Sequence, residues 1–448
     1  MSPTSSPRSV IEEAMRENRM PTPRLDYNIQ KKSTVGFVVW PQAGHILPTL
    51  SLAKRLSKAG HGVIYFSSLC GSQIVRAQGF DCEVICPEPE LLTGLPDAAR
   101  AASMEALVDE FAPKLRVHGV KHLYTDPILF FAAFAGLRCK IDTRFLWTLD
   151  PPISSEGHLP FRLSLQQHRS WRTRVAPTLF WKTPLAESAR GLAEAERKGE
   201  TEMHRLLLRY AGEFNLPLVN SSFGHLPALR GIVAAPSAIF SNQDSSLTYL
   251  GLSLDLERQE PTLEFQPAGK SVYCTFGTNF HFYSQAEGVL AQVIAAAAKN
   301  PDISFLVQAP ASFAPKLDLP SNVQLASAVP TLKVLKAVSA AIIHGGLGGI
   351  KECIYFQVPM LVIPFFFDQP ANAAMVERRG IGIAMAPEEA TAESIQNGLH
   401  KLLCRSDYHA ALSSLRVKCL AENQEEAWVE SLERKSRSSP AFSPAGSV

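Results

Sequence analysis

The chain has 448 residues, of which 46% are hydrophobic and 19% charged, and its formal net charge is +2. That length exceeds one ordinary core and predicts two domains of roughly 200 residues. The near-neutral charge excludes an electrostatic nucleic-acid binder, which needs a basic face. The eight cysteines are scattered, with only Cys82 and Cys86 close together, which excludes a zinc site or a disulfide framework.

A cytoplasmic location is expected. No segment reaches the roughly 18 to 20 apolar residues needed to span a bilayer, and the Ser/Pro-rich stretch 1–32 lacks the apolar core of a signal peptide.

Residues 1–33 are expected to form a disordered tail, with one short helix over 10–16. Val35-Gly-Phe-Val-Val-Trp40 reads as a buried strand, 48–56 as a helix closing at Gly60, and 62–66 as the next strand. Strand, helix and strand within about 30 residues predict a βαβ unit and a parallel sheet. The alternation continues through a strand at 82–86, a helix near 101–116, a strand at 122–126, a helix to Gly136 and a strand at 145–149. An insert over 151–216, irregular and then helical, carries many Arg, Trp and Phe residues. Strands at 218–222 and 238–241 complete a first domain spanning 34–242. A linker follows over 243–269, then a second domain over 270–423 whose first strand, 271–276, ends in Gly277-Thr278. A helix over 424–433 and a disordered tail over 434–448 close the chain.

The most informative stretch is His344-Gly-Gly-Leu-Gly-Gly-Ile-Lys-Glu352, which follows the apolar run 341–343. Strand, glycine turn and helix start place unpaired backbone N–H groups and a helix dipole where an anion such as a diphosphate binds. A second strand, 360–363, ends just before Asp368-Gln369, two side chains suited to gripping vicinal hydroxyls. Diphosphate beside polyol describes a nucleotide sugar. In the first domain, Gln42-Ala-Gly44-His45-Ile-Leu-Pro48 follows the leading strand, at the edge where open α/β sheets bind ligands. His45 there reads either as a general base or as a helix-start histidine satisfied by backbone.

These residues resemble the donor signature of the inverting, nucleotide-sugar-dependent glycosyltransferases (glycosyltransferase family 1). The family pattern, His-x-Gly-x-[Asn/Gly]-[Ser/Gly]-x-x-Glu, then Val-Pro-Met, Asp-Gln and Asn-Ala, is met by His344, Gly346, Gly348, Gly349, Glu352, Val358-Pro359-Met360, Asp368-Gln369 and Asn372-Ala373. The double glycine is similar to the bacterial macrolide-modifying branch. The resemblance implies the GT-B architecture, two Rossmann-like parallel-sheet domains facing across a cleft, with the helix at 424–433 returning to the first domain.

The resemblance also implies roles. His45 would be the catalytic base and Asp126, closing the strand 122–126, the carboxylate that orients it; Asp126 alternatively caps the next helix. His344 and Thr278 would contact phosphate, Gly346, Gly348 and Gly349 would let backbone approach it, and Glu352 would accept from ribose hydroxyls. Asp368 and Gln369 would hold the sugar, with glucose the leading expectation. Where many members carry Trp-x-Pro-Gln to hold the base, this chain has Ala328-Val329-Pro330-Thr331. The backbone of Val329 is left to read a pyrimidine, with UDP favoured over dTDP.

No Asp-x-Asp is present to hold a divalent ion, so no metal and no cofactor beyond the nucleotide-sugar co-substrate is expected. The acceptor is expected to be a lipophilic small-molecule natural product, in a pocket lined by the 40–43 turn with Trp40 and Gln42, the 147–155 stretch with Trp147, and the insert around 161–181; Phe130, Phe131, Trp171 and Phe180 suggest a broad apolar cavity, each reading equally as core. Alternatives are a nucleotide-sugar epimerase of the same fold or a non-catalytic sugar-nucleotide-binding helper. A dinucleotide oxidoreductase is disfavoured because the glycines do not form Gly-x-Gly-x-x-Gly after a strand.

Overall fold

A computed structural model describes residues 32–86, 88, 95–151, 164–167, 201–221, 224–240, 246–267, 269–310, 312 and 319–438. Most of the expected amino-terminal tail and most of the insert around 161–181 lie outside these residues.

The first half alternates β1 (Thr34–Val38), α1 (Ala43–Ile46), α2 (Leu50–Lys58), β2 (Gly62–Ser67), α3 (Leu69–Ala77), β3 (Asp81–Val84), α4 (Asp97–Val117), β4 (Val120–Thr125), α5 (Phe130–Arg138) and β5 (Asp142–Trp147). After α6 (Glu202–Glu213) come β6 (Leu218–Ser221), β7 (Gly224–Pro227), β8 (Gly231–Val233) and β9 (Leu247–Tyr249). Seven strands form one parallel sheet in the order β3-β2-β1-β4-β5-β8-β9. β1 is buried along nearly its whole length, which is why it reads as a continuous apolar run rather than an alternation.

The second half is β10 (Ser271–Thr275), α7 (Ala286–Ala298), β11 (Ser304–Gln308), β12 (Val323–Ala326), α8 (Thr331–Leu335), β13 (Ala340–Ile343), α9 (Leu347–Phe356), β14 (Met360–Val362), α10 (Gln369–Arg378) and β15 (Gly382–Ala384). Its strands form a second parallel sheet, β12-β11-β10-β13-β14-β15. α9 stops because Gln357 turns left-handed at φ 58° and Pro359 cannot continue a helix. α11 (Ala392–Cys404), α12 (Ser406–Ala421) and α13 (Glu425–Ser438) follow. Two parallel-sheet α/β units are thus present, each with its order reversing beside its first strand.

Four sequence expectations are corrected. The segment at 218–222 does not join the main sheet but pairs antiparallel with β7 in a hairpin. The strand expected at 238–241 is a 3-10 turn over Ser237–Ile239, and the sheet takes β8 instead. The expected linker contains β9, three residues whose pairing with β8 rests on tertiary contact rather than on any periodicity. The last helix also runs to Ser438, past the point where a tail was expected, helped by a Glu430–Arg434 pair one turn apart.

α13 crosses back onto the first sheet. Trp428, Val429 and Leu432 join the core made by Phe37, Tyr65 and Tyr124. Trp428 Nε1 donates to the Tyr124 hydroxyl at 2.8 Å, and Glu425 accepts from Ser51 Oγ at 2.6 Å and Arg55 Nε at 2.8 Å. One apolar cluster links the two halves, joining Phe145, Trp147 and Val233 to Tyr273, Ile343 and Val362. Within that contact, Lys351 of α9 is fully buried and donates to the Ala234 carbonyl beyond β8 at 2.5 Å. Burial pushes its ammonium down to about 8, against the pull of Glu425 and Glu352.

A folded-state pKa near 8, below the ordinary 10.5, means that the unfolded chain holds more protons across that window. Stability should therefore gain a contribution that grows as pH rises from about 8 to about 10.5. Urea unfolding at several pH values should show this extra slope in the natural chain and its loss in Lys351→Met; parallel slopes in the two proteins would contradict it.

Candidate active site

The first sheet reverses order between β1 and β4, so the loops after those strands open a crevice at its carboxyl edge. His45 stands on α1 after β1, and Asp126 on the turn after β4. Their side chains meet: His45 Nδ1 lies 2.7 Å from Asp126 Oδ2. The other carboxylate oxygen, Oδ1, accepts from the Ile128 backbone N–H at 3.1 Å, so Asp126 caps the following turn while it orients the imidazole. Thr148 Oγ1, just past β5, lies 3.0 Å from the same ring nitrogen. The His45 side chain is 20% exposed and that of Asp126 3%, so a buried carboxylate backs a partly open imidazole. With Nδ1 turned to the carboxylate, Nε2 is the nitrogen free to take a substrate proton.

The second sheet reverses order beside β10, between β11 and β13. Thr278 stands exposed on the loop after β10, and the glycine turn follows β13. Gly346 caps α9 with no side-chain hydrogen bond, so the first amides of a ten-residue helix lack a side-chain partner. The glycines differ in purpose. A Cβ on Gly346 would lie 2.7 Å from His344 Nε2, and one on Gly277 would lie 2.6 Å from His344 Cε1. These two glycines make room for the imidazole. A Cβ on Gly348, by contrast, would meet nothing within 4 Å, and one on Gly349 only Ile343 Cδ1 at 4.0 Å, so space over the helix start is open. Gly345, at φ +90°, is needed because a Cβ would strike Val362. Burial holds His344 down at about 4, against the Thr275 backbone carbonyl, so it acts as a neutral hydrogen-bonding ring rather than a cation.

Asp368 and Gln369 are both buried, and their roles separate. The Gln369 amide oxygen accepts from the backbone of Phe365 (2.9 Å) and Phe366 (3.1 Å), while its nitrogen donates to Tyr283 Oη at 2.9 Å. That amide shapes the loop after β14 and keeps one N–H for any ligand. Asp368 Oδ2 accepts from Asn372 Nδ2 at 2.8 Å, and the same nitrogen reaches the Gly345 carbonyl at 2.9 Å. Burial pushes the Asp368 carboxyl up to about 6; Asn372 and then His45, from the other sheet, pull it back, and Asp150 adds to the rise. The two carboxyl edges lie face to face: Asn279 Nδ2, after β10, donates to Gln42 Oε1, after β1, at 3.1 Å.

Glu352 does not face solvent. It is buried, with Oε1 2.5 Å from Arg258 Nη1 of the segment joining the two sheets. Val329, 5% exposed, belongs to the core shared by the halves, and its carbonyl accepts from Thr331 Oγ1 at 3.4 Å.

On the acceptor side, Gln42 Oε1 accepts from Asn279 Nδ2 at 3.1 Å, a hydrogen bond across the crevice. Trp40 and Phe130 are partly buried against the first domain's core. Trp147 is corrected: at 2% exposed it lies within the core between the sheets, because β5 is covered on both faces, and its ring does not open to the crevice. Trp171 and Phe180 lie outside the described residues. Thr148 and Asp150 fall in the 147–155 stretch expected to line the acceptor pocket, but sequence reasoning gave neither a role of its own, and it missed Tyr283. The first two stand at the carboxyl end of β5, where the rule that led to His45 and Asp126 applies equally.

Comparison with known proteins agrees with this geometry. Residues 292–434 match the family model described as erythromycin biosynthesis protein CIII-like, C-terminal domain. The chain is 25% identical over 418 residues to the NDP-glycosyltransferase YjiC of Bacillus subtilis, covering 89% of this chain and 94% of that protein. It is 29% identical over 228 residues to the putative UDP-glucuronosyltransferase ugt-50 of Caenorhabditis elegans, 46% of this chain but less than half, 43%, of that relative's length. Among solved structures, spinosyn rhamnosyltransferase SpnG complexed with thymidine diphosphate superposes with a TM-score of 0.66 at 18% identity, over 89% of this chain and all of the other. The sheet orders and these similarities together show a two-domain fold of GT-B type, in a chain similar to NDP-glycosyltransferases.

Proposed function

We propose that the protein is a metal-independent, inverting glycosyltransferase that moves a hexose, glucose in the first instance, from a nucleoside diphosphate to a hydroxyl of a lipophilic small molecule. The observation that carries this reading is the His45–Asp126 pair on one sheet facing Asp368 and the open start of α9 on the other. An acceptor hydroxyl at Nε2 of His45 would lose its proton as its oxygen attacks the anomeric carbon. Asp126 stabilises the imidazolium that forms, as the carboxylate does in a Ser-His-Asp triad.

The bond that breaks runs from the anomeric carbon to the diphosphate. Charge developing on that leaving group falls on the unfilled amides after Gly346, with the neutral His344 ring beside them as a further donor. Attack opposite the departing group inverts the anomeric centre through an oxocarbenium-like transition state. Asp368 accepts from two sugar hydroxyls, and the remaining N–H of Gln369 donates to a third oxygen. Glu352 Oε2 would accept from a ribose hydroxyl, which supports a ribonucleotide donor and hence UDP. The relative SpnG is described with thymidine diphosphate, so dTDP is the competitor to test. The acceptor's lipophilic character is supported by Trp40 and Phe130 beside the crevice.

Incubating the protein with UDP-glucose or dTDP-glucose and a panel of phenols and macrolides, with and without EDTA, should give a product one hexose heavier whose yield EDTA leaves unchanged. An isomerised donor would indicate an epimerase, and neither product a binding helper. His45→Ala should lower turnover by about 10²- to 10⁴-fold while UDP affinity stays within a factor of a few; undiminished turnover would remove His45 from the mechanism. Asp368 ionises near pH 6. The extra affinity of UDP-glucose over UDP should therefore be full well above pH 6 and shrink as pH falls through it. Calorimetry on Asp368→Asn should find that pH dependence gone.

A further inference from the structure

Three charges under the candidate nucleotide site, one buried and two partly buried, join segments far apart in the chain. Arg258, on the stretch joining the two sheets, has its side chain 8% exposed and lies between two carboxylates. Its Nη1 donates to Glu352 Oε1 at 2.5 Å, and its Nε and Nη2 donate to Glu260 Oε1 at 3.0 and 2.8 Å. Glu260 in turn accepts the Leu332 backbone N–H on both oxygens, at 3.1 Å each. Leu332 is the second residue of α8, directly after Val329-Pro330-Thr331, the turn from which the donor reading has the backbone of Val329 read the base. Glu352 Oε2 has no hydrogen bond among the described residues.

A buried ion cluster of this kind is costly to assemble and gives poor returns in stability compared with apolar packing. Its geometry suits recognition better. We propose that Arg258 is a positioning residue for the nucleotide, clamping the base-side turn to Glu352 so that the free carboxylate oxygen of Glu352 accepts from the ribose 2′-hydroxyl. The inference rests on the donor reading above and adds the residue that sets its nucleotide selectivity. The guanidinium fork fixes Oε1, and with it the direction of Oε2. It also keeps Glu352 ionised: burial raises that carboxyl, and Arg258 is the first group opposing the rise. The other charged or titratable neighbours of Glu352 are Glu260, which raises it, Lys351 on the same helix, which lowers it, and Tyr273 of β10 and the adjacent Cys353, both neutral at ordinary pH.

The test compares binding of UDP and 2′-deoxy-UDP by calorimetry from pH 5.5 to 8.5. The natural chain should prefer UDP by roughly 10-fold or more, the worth of one hydrogen bond to a charged group, with little change over neutral pH. Arg258→Met should bring the ratio near one at low pH and make UDP affinity climb with pH, because Glu352 loses its cation. Glu352→Gln should lower the ratio without creating that climb, and Arg258→Lys should restore part of it. If Arg258→Met does not fold, Arg258→Lys is read alone, and a ratio equal to that of the natural chain overturns the proposal. So does a folded Arg258→Met with an unchanged ratio, an equal loss for both nucleotides, or a natural chain that binds both equally. A natural chain that binds UDP, dTDP and 2′-deoxy-UDP not at all would instead sink the donor reading beneath it.

Discussion

A parallel sheet sends all its loops to two edges, and in this protein the carboxyl edge of one sheet confronts that of the other. Every candidate site residue follows from that confrontation. The apolar cluster running from Phe145 and Val233 to Tyr273 and Val362 fixes the two sheets in contact on one side of it. The buried Lys351 ammonium on the Ala234 carbonyl adds a directional bond to what would otherwise be non-directional packing. Asp368 then lies within electrostatic reach of His45 although 323 positions separate their numbers (368 − 45).

The polar groups of the crevice are arranged in relays rather than as isolated contacts. Asp126 spends one oxygen on its own turn and one on His45, so the backbone of the turn fixes the imidazole's orientation. Asn372 bonds both Asp368 and the Gly345 carbonyl, joining that buried carboxylate to the glycine turn. Gln369 holds the loop backbone and Tyr283, which stacks on Phe365 with ring centres 5.0 Å apart. Such relays hold groups at low tolerance in a site where an error of an ångström is costly.

Much of this was legible in the sequence, and the physical reason differs by element. The strands β1, β2, β10 and β13 announce themselves as apolar runs because both their faces are covered. The glycine turn is legible because backbone at φ +90°, as at Gly345, leaves few residue choices. Strand ends put His45 and Asp126 on one sheet edge, but their pairing was expected from the family resemblance, because a histidine there reads equally as a helix-start residue satisfied by backbone. What escaped depends on contacts between distant segments. β9 has only three residues, and its membership of the sheet is decided by β8. Glu352 has a partner 94 positions away, which no helical pattern reveals. Gln369 and Asp368 look alike as a hydroxyl-gripping pair, yet only burial and loop geometry show that the amide is largely taken up by its own backbone. Trp147 reads as a pocket aromatic until the second sheet is seen to cover it.

The return of α13 to the first sheet carries a consequence for how the chain acquires its shape. Ser51 and Glu425 meet across 374 positions, and Lys32 and Glu433 across 401. The core around Phe37, Tyr65 and Tyr124 therefore lacks Trp428 until the ribosome has delivered the whole of the second sheet. Emerging first does not let the amino-terminal half finish first. It must wait, partly uncovered, while the second half is translated, and the closing step lays α13 on the sheet that was synthesised first.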